Sequence, residues 1–462
     1  MSTDETDERT LVEALAMGDI REVVNRVVGS PEGLQSQVIQ GTGGTFFLRV
    51  LSAGLAFITS IVLARVLGAE DYGSYAYALS WVSILVIPAM MGGRQLLTRE
   101  VSRYRAHEDW RALRGLLRRS NQTVLAASLS LALLGGLLTE LVGAGLEPQT
   151  QTALWVSALL LPPFAFVRIR QSILRGLGHV VKAQIPQKVI LPGGFLALVG
   201  LGYFYGGLSA PVAVGMRALA AVIGLLVVSM LLRKHLPEPA SEETPVYRSR
   251  EWIASALPML LIAGANVVNH RVSVIMLGSL VDAEAAGVFD AARRGVGVVA
   301  FALAAVNMPL SPVIARLHSQ GRKERMQRVV TNAARIALIS SLPVGLGLIL
   351  FRDPFLLLFG EEFRSGTAAL TILCIGQLMN AGLGSVVQIM NMTGNEIYVA
   401  TVMGGAAVLS IVLNAVLIPT WGLEGAALAT AGSIAAWNVT LSALIYHKIG
   451  IDSTAVSSVQ KL

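Results

Sequence analysis

Nine ionisable side chains fall inside long apolar segments of this 462-residue sequence. A charge at membrane depth costs about 2.5 kcal/mol or more unless it is paired, hydrated or near the end of a helix, so each one needs a reason. Six are arginines and two are carboxylates. This balance suits an anionic ligand, because guanidinium groups bind phosphate oxygens in pairs. The nine are Arg49, Glu140, Arg217, His270, Arg271, Asp290, Arg293, Arg294 and Arg335.

The depth of these groups selects the candidates for substrate binding. Four of the arginines fall in the outer halves of the sixth, seventh and eighth apolar segments, and a short turn makes the last two segments neighbours. Arg49 lies closer to the inner end of the first segment, and three polar uncharged side chains complete the set. The predicted substrate-binding residues are Arg217, Arg271, Arg293, Arg294, Arg49, Asn266, Asn269 and Gln377.

Three further groups are candidates for coupling transport to an ion gradient. Asp290 precedes Arg293 and Arg294 by three and four residues, a spacing that places an ion pair on one helical face. Either this pair neutralises itself, or one arginine is held while the other faces a cavity. Asp290, His270 and Glu140 could each take up a proton, or in the case of the acids a sodium ion. No cofactor, resident metal or enzymatic activity is expected, since phosphate-binding glycine loops and His/Cys clusters are missing.

The elements that carry these groups are membrane helices. The chain is 54% hydrophobic and 14% charged, with a mean hydropathy of +0.64, whereas soluble proteins carry about 25% charged residues. About twelve apolar runs have the length that an α-helix needs to cross a bilayer, which predicts an all-α polytopic fold. The predicted spans are 44–67, 73–93, 122–145, 152–173, 186–206, 211–232, 252–279, 285–313, 329–350, 367–389, 397–419 and 425–446.

The positive charges predict the orientation of the chain. Although the net charge is +7, the basic residues lie in short loops between apolar segments, so nucleic acid is not an expected partner. Arginine-rich loops alternate with loops that hold few bases, which places both termini in the cytoplasm of a cell-membrane protein. The predicted divisions are a tail with an amphipathic helix (1–42), a six-helix bundle (43–232), a linker (233–251), a second bundle (252–448) and a C-terminal tail (449–462). An interfacial helix with its apolar residues in lipid is expected over 351–363.

An internal repeat organises the two bundles. Ala69, Glu70, Gly73, Tyr75 and Ala78 have the same spacing as a second set 214 positions later. An even number of spans in each half makes the repeats parallel and predicts pseudo-symmetric bundles with a central cavity between them. The second set is Ala283, Glu284, Gly287, Phe289 and Ala292.

Several segments together resemble the polysaccharide and oligosaccharide flippases of the multidrug/oligosaccharidyl-lipid/polysaccharide exporter superfamily. The first hairpin, IVLARVLG at 61–68 followed by AEDYG at 69–73, is similar to the start of that family. The stretches RQSILRGLG at 170–178, 275–292, LLLFGEEF at 356–363 and NAVLIPTWGLEGA at 414–426 are also family-like. Where many relatives carry an acid late in the seventh span, this chain has His270 and Arg271.

The resemblance implies twelve helices in two bundles and transport by alternating access. The implied substrate is a polyprenyl-phosphate- or polyprenyl-diphosphate-linked oligosaccharide, moved from the inner to the outer leaflet with its anionic headgroup in a cationic cavity. Membrane lipids and glycan-assembly enzymes are the expected partners of a monomeric chain. The alternative is a cation-coupled multidrug or toxin antiporter of the same superfamily, which requires an acidic cation site. The glycan, the polyprenyl carrier and the coupling ion stay open.

Overall fold

The computed structural model describes residues 32–142, 145–238 and 243–456, so the amphipathic helix expected at 10–28 lies outside the described residues. The described secondary structure is helical. In chain order the N-terminal helices are α1 (Glu32–Ala89), α2 (Gly93–Ala106), α3 (Trp110–Val142), α4 (Pro148–Gly176), α5 (Val180–Ile185, a π-helical turn Pro186–Ile190 and Leu191–Tyr205) and α6 (Ala210–His235).

The second half repeats this architecture. Its helices are α7 (Ser249–Leu280), α8 (Ala283–Ser319), α9 (Lys323–Leu350), the short α10 (Arg352–Leu357) with a 3₁₀ turn (Glu361–Gly366), α11 (Thr367–Leu383), α12 (Val386–Met392) and α13 (Glu396–Ile449). The side chain of Asp282 caps α8 by accepting a 2.7 Å hydrogen bond from the backbone N–H of Ala285. Such a cap satisfies a donor that the first helical turn leaves unpaired.

Two helices are too long for one membrane crossing. In the described part of the chain, nine helical segments are long and apolar enough to span a bilayer, including Phe47–Ala89 with 43 residues and Glu396–Ile449 with 54. Gly68 and Gly422 break these two helices with positive φ angles of 76° and 52°, which glycine adopts without a steric penalty. Counting each as two spans and including α8 gives the twelve predicted spans.

The two repeats meet where α1 packs along α8. A side chain at Gly73 would overlap the carbonyl oxygen of Ala283, and a Cβ at Gly287 would lie 2.6 Å from the carbonyl oxygen of Ala69. Equivalent residues of the two sequence repeats therefore contact each other reciprocally, backbone against backbone. This crossing joins the two halves on the side that the charge pattern predicts to be outside.

The segment 351–363 does not lie flat in lipid as expected. Leu356, Phe359 and Phe363 are buried in the core that both halves share, and the ring of Phe355 stacks on that of Phe57 with 6.1 Å between centroids. Hydrophobicity alone could not distinguish a lipid contact from a protein contact. The prediction that the side chains face lipid was wrong for Phe355, Leu356 and Phe359, whereas Phe351, Leu357 and Leu358 are exposed as expected.

Candidate functional site

The carboxylate of Asp290 is the centre of a cluster of arginines between the two halves. Asp290 is 1% exposed and lies 2.8 Å from Arg294 Nε, 2.9 Å from Arg293 Nη2 and 3.6 Å from Arg271 Nη1. It therefore contacts both arginines of its own helix, whereas the sequence left open whether the pair neutralises itself or one arginine is held while the other faces a cavity. Arg271 joins them from α7, as the short turn between α7 and α8 predicted.

Aromatic residues of α1 connect this cluster to the N-terminal half. The hydroxyl of Tyr72 donates to Asp290 Oδ2 at 3.3 Å across the boundary between the halves. Arg217 on α6 donates to the hydroxyl of Tyr75 at 2.9 Å, and its guanidinium lies 5.1 Å from the ring centroid of Phe195. The rings of Tyr75 and Phe195 are stacked, so they hold Arg217 in place.

The arrangement leaves a large excess of positive charge. Within the described residues, Asp290 contacts three guanidinium groups, and a fourth, that of Arg217, is an electrostatic neighbour of Arg271, so the four positive charges and one negative charge leave a net excess of three. The Nε atoms of Arg217 and Arg293 are buried and have no hydrogen-bond partner in the described structure. Buried donors of this kind favour a ligand with several acceptor oxygens, since an unmade hydrogen bond costs about 1–3 kcal/mol.

A small polar cavity opens beside this cluster. Its volume is about 50 Å³, which is room for a few water molecules. Arg217 and Arg294 line it together with Tyr72, Tyr75 and Phe195, and Thr59 and Ser60 add hydroxyl groups from the first span. We refer to it as the central cavity. Its lining comes from both halves, so relative motion of the halves would change its size.

The sequence did not identify every residue of this site. Tyr72 was overlooked, and Tyr75 was noted only as a marker of the internal repeat, although both line the central cavity. Their hydroxyl groups lie three residues apart on one helical face, directly after the first hairpin. A search for polar groups within apolar spans that included tyrosine would have found them.

Arg271 and Arg293 contact Asp290 but do not line the central cavity, and the remaining four predicted substrate-binding residues also lie outside it. Arg49 is exposed on α1, and Asn266 is exposed on α7. Asn269 is buried and donates to the carbonyl oxygen of Met403 at 3.2 Å, a contact between α7 and α13. Gln377 is 7% exposed within α11. A direct contact of these four residues with substrate stays a prediction.

The coupling candidates also occupy different places. Asp290 lies within the arginine cluster, and His270 on α7 is an exposed neighbour of Arg271 and Arg293. Glu140 is exposed at the end of α3 and accepts a 2.8 Å hydrogen bond from the indole N–H of Trp155. Over the described ranges, no group of three or more His, Cys, Asp and Glu side chains is arranged to hold a metal ion.

A larger, apolar pocket lies at the opposite end of the boundary between the halves. It has a volume of about 240 Å³ and is lined on one side by the turn after α1 and by α2, α3 and α4, and on the other side by α7. Leu96, Leu116, Trp252 and Leu257 are among its lining residues, and Arg119 stands at its edge. The charged chemistry is therefore concentrated in the smaller cavity.

Comparison with known proteins identifies the family. The sequence profile described as "Polysaccharide biosynthesis protein" matches residues 38–318, more than half of the chain. The chain belongs to this family. A second profile, MatE, matches residues 258–416 of this polysaccharide biosynthesis protein. These matches confirm the prediction that the chain is a transporter and not an enzyme.

The chain is similar in sequence to a probable flippase and similar in fold to transporters of known structure. The "Probable low-salt glycan biosynthesis flippase Agl15" of Haloferax volcanii is 24% identical over 397 residues, covering 84% of this chain and 79% of that protein. An inward-facing multidrug resistance transporter of the MATE family has a TM-score of 0.69 at 15% identity, covering 86% and 94% of the two chains. The lipid II flippase MurJ has a TM-score of 0.68 at 16% identity, covering 88% and 87%. The predicted helical fold in two bundles is confirmed.

Proposed function

We propose that this chain moves a polyprenyl-phosphate- or polyprenyl-diphosphate-linked oligosaccharide from the inner to the outer leaflet of the cell membrane by alternating access. The observation that carries the proposal is the excess of three positive charges at the boundary between the halves. A phosphate group and its attached sugars face a hydrocarbon layer about 30 Å thick. A cationic, hydrated cavity lowers this barrier while the prenyl chain stays in lipid.

Without substrate, Asp290 holds the arginines beside the central cavity in fixed positions. Its two oxygens hold three guanidinium groups in position at 2.8–3.6 Å. An entering phosphate offers more acceptor oxygens and replaces the carboxylate as partner of some of these groups. Because Tyr72 joins Asp290 across the boundary, this exchange also changes the contact between the halves. Substrate binding and rocking of the bundles are linked in this way.

The alternative function, export of cationic drugs, requires a carboxylate that can receive a cation. Asp290 is 1% exposed and has three arginines within 4 Å. A cationic drug at this position would meet like charges, which are repulsive in a site of low dielectric constant. The site chemistry therefore favours the anionic glycan-lipid. Coupling to a proton gradient through His270, or to a proton or sodium gradient through Glu140, belongs to the same proposal, whereas the three arginines around Asp290 disfavour this third candidate.

Single substitutions in proteoliposomes test the substrate assignment. Arg271→Gln and Arg294→Gln each remove one charge from the cluster while they keep hydrogen-bonding capacity. We expect each to lower the rate of translocation of a polyprenyl-diphosphate-linked oligosaccharide by about tenfold or more, since a hydrogen bond to a charged group contributes about 1.5–3 kcal/mol. Translocation is read from accessibility of the glycan to an added glycosidase.

The matched control is Arg364→Gln. Arg364 is half-exposed and forms its ion pairs, with Asp353 and Glu361, away from the central cavity. Protein abundance and thermal stability are measured for all three variants. Wild-type translocation by both Arg271→Gln and Arg294→Gln at normal abundance would refute the proposed role of the cluster.

A further inference from the structure

A second group of polar side chains without partners lies on α4. Arg168, Gln171 and Arg175 follow each other at intervals of three and four residues, so they share one helical face. Gln171 is 1% exposed, and neither its amide nitrogen nor its amide oxygen has a hydrogen-bond partner within the described structure. The buried Nε atoms of Arg168 and Arg175 also have none. A native core rarely leaves so many polar atoms unsatisfied in one place.

Further cations surround this face from other helices. Arg94 on α2 lies within electrostatic reach of both Arg168 and Arg175. Lys188, in the π-helical turn of α5, has Arg175, Arg94 and Arg49 as charged neighbours. No carboxylate in the described ranges forms an ion pair with any of these cations. We call them the inner basic cluster: Arg49, Arg94, Arg168, Arg175 and Lys188.

Side-chain hydroxyl groups of α2 bind the backbone of α4 and hold the two helices together. Thr98 on α2 donates to the carbonyl oxygen of Ser172 at 3.1 Å, and Ser102 donates to that of Gly176 at 3.0 Å. A Cβ at Gly176 would lie 2.6 Å from Val101, so glycine permits this close packing. The π-helical turn at 186–190 interrupts α5 where it carries Lys188, and such turns often occur at functional sites.

The inner basic cluster is separate from the central cavity. Arg49 precedes the cavity-lining residues Ala56, Thr59 and Ser60 by seven to eleven positions on α1. At 1.5 Å per residue these positions are about 10–16 Å apart along the helix. The charged neighbours of the two sites also differ, since the central arginines interact with one another and with Asp290. The inner basic cluster lies toward the predicted cytoplasmic end.

Within the described ranges these five cations form no ion pair with a carboxylate, so they repel one another. A ligand with several negatively charged oxygens would relieve this repulsion, and guanidinium groups match phosphate oxygens in pairs. Two phosphates in series fit several cations spread over four helices better than one phosphate does. The Gln171 amide adds both a donor and an acceptor. We propose that the inner basic cluster is a second diphosphate site, which receives the substrate headgroup before it reaches the central cavity.

This inference rests on the proposed function for the identity of the ligand, and its first test measures binding alone. The full chain is placed in nanodiscs of phosphatidylcholine and titrated with inorganic pyrophosphate by calorimetry. We expect two sites. The double variant Arg168→Gln/Arg175→Gln should lose the inner site and keep the central one. Arg271→Gln should lose the central site and keep the inner one. An unchanged number of sites in the double variant overturns the inference.

A second variant separates binding from folding. Gln171→Leu replaces the unpaired amide by an apolar side chain of similar size, which should raise the thermal unfolding midpoint because buried unsatisfied groups are removed. The same variant should weaken pyrophosphate binding to one site. Higher stability with unchanged pyrophosphate affinity would show that Gln171 faces no ligand and would count against the site.

Transport assays distinguish this inference from the proposed function. Loss of a loading site raises the substrate concentration for half-maximal translocation by about tenfold in the double variant. The rate at saturation stays close to wild type, whereas Arg271→Gln lowers it. A defect in Arg271→Gln with a normal double variant would refute the inner site and leave the proposed function standing. Two pyrophosphate sites without any effect on translocation would refute the proposed function and leave the inner site.

A change of lipid composition tests whether the ligand of the inner basic cluster is a diphosphate or the headgroup of an ordinary phospholipid. Ordinary anionic phospholipids carry single phosphates at high local concentration, so they could occupy the same cations. Nanodiscs that contain phosphatidylglycerol are titrated in the same way. Retained pyrophosphate binding supports a site for a diphosphate. Complete loss of the inner site in these nanodiscs would assign the cluster to phospholipid headgroups and overturn the inference.

Discussion

Replacement of Asp290 by asparagine removes the counter-ion of three arginines and keeps the size of the side chain. The carboxylate is 1% exposed and contacts guanidinium groups at 2.8, 2.9 and 3.6 Å. Loss of one partner from a buried ion pair typically costs about 3–5 kcal/mol. The arginine side chains are 26–28% exposed and can regain some hydration, so we expect a cost near the lower limit, about 3 kcal/mol. This corresponds to roughly a hundredfold change in the unfolding equilibrium.

The free energy of unfolding is measured in detergent by denaturant titration, with and without pyrophosphate. Without the anion, Asp290→Asn should be less stable than wild type. With pyrophosphate at about a hundred times its dissociation constant, the variant should recover about 2.7 kcal/mol, because the anion takes the place of the carboxylate. Asp353→Asn is the control, since Asp353 is half-exposed and its ion pairs contribute little. Equal stability of the two variants would refute the role of Asp290 as internal counter-ion.

Two further predictions concern other parts of the chain. Gly73→Ala should lower the thermal unfolding midpoint, because the new methyl group overlaps the carbonyl oxygen of Ala283. Gly264→Ala is the control and should leave the midpoint unchanged, because there is open space around Gly264. Equal midpoints for the two variants would contradict the close contact. Burial, together with the neighbouring His235, lowers the pKa of His179, so the unfolded chain takes up the proton first and stability decreases as the pH falls below about 6.5. His179→Gln should reduce this decrease in a pH series of unfolding midpoints, and an unchanged series would disprove it.

The sequence predicted the helices and the central arginines because the bilayer imposes simple rules. A span must be apolar and about 20 residues long, so charged groups inside one are conspicuous. Arg217, Arg271, Arg293 and Arg294 were identified in this way. The pairing of Asp290 with Arg293 and Arg294 followed from the spacing of these residues on α8. The contact between Tyr72 and Asp290 could not be predicted, since it depends on how two helices 218 positions apart pack against each other.

The inner basic cluster was missed for a different reason. Arg49 was predicted to bind substrate, but the other four residues were interpreted as parts of two arginine-rich cytoplasmic loops, 94–119 and 168–188. The structure continues α4 to Gly176, which converts the loop into a helical face. The spacing of Arg168, Gln171 and Arg175 contained this information. Charge density was interpreted as an indicator of topology, and the helical periodicity within it was overlooked.

The reciprocal contact of Gly73 and Gly287 has a consequence for the conditions under which the transporter can work. This seam is built from main-chain atoms and contains no ionisable group at the two glycine positions. Neither acid nor salt alters the fit of a carbonyl oxygen against a glycine. The backbone fit itself is therefore insensitive to pH and salt, whereas the carboxyl groups of Glu70 and Glu284, each three residues before one of these glycines, can make closure on this side respond to the surrounding medium.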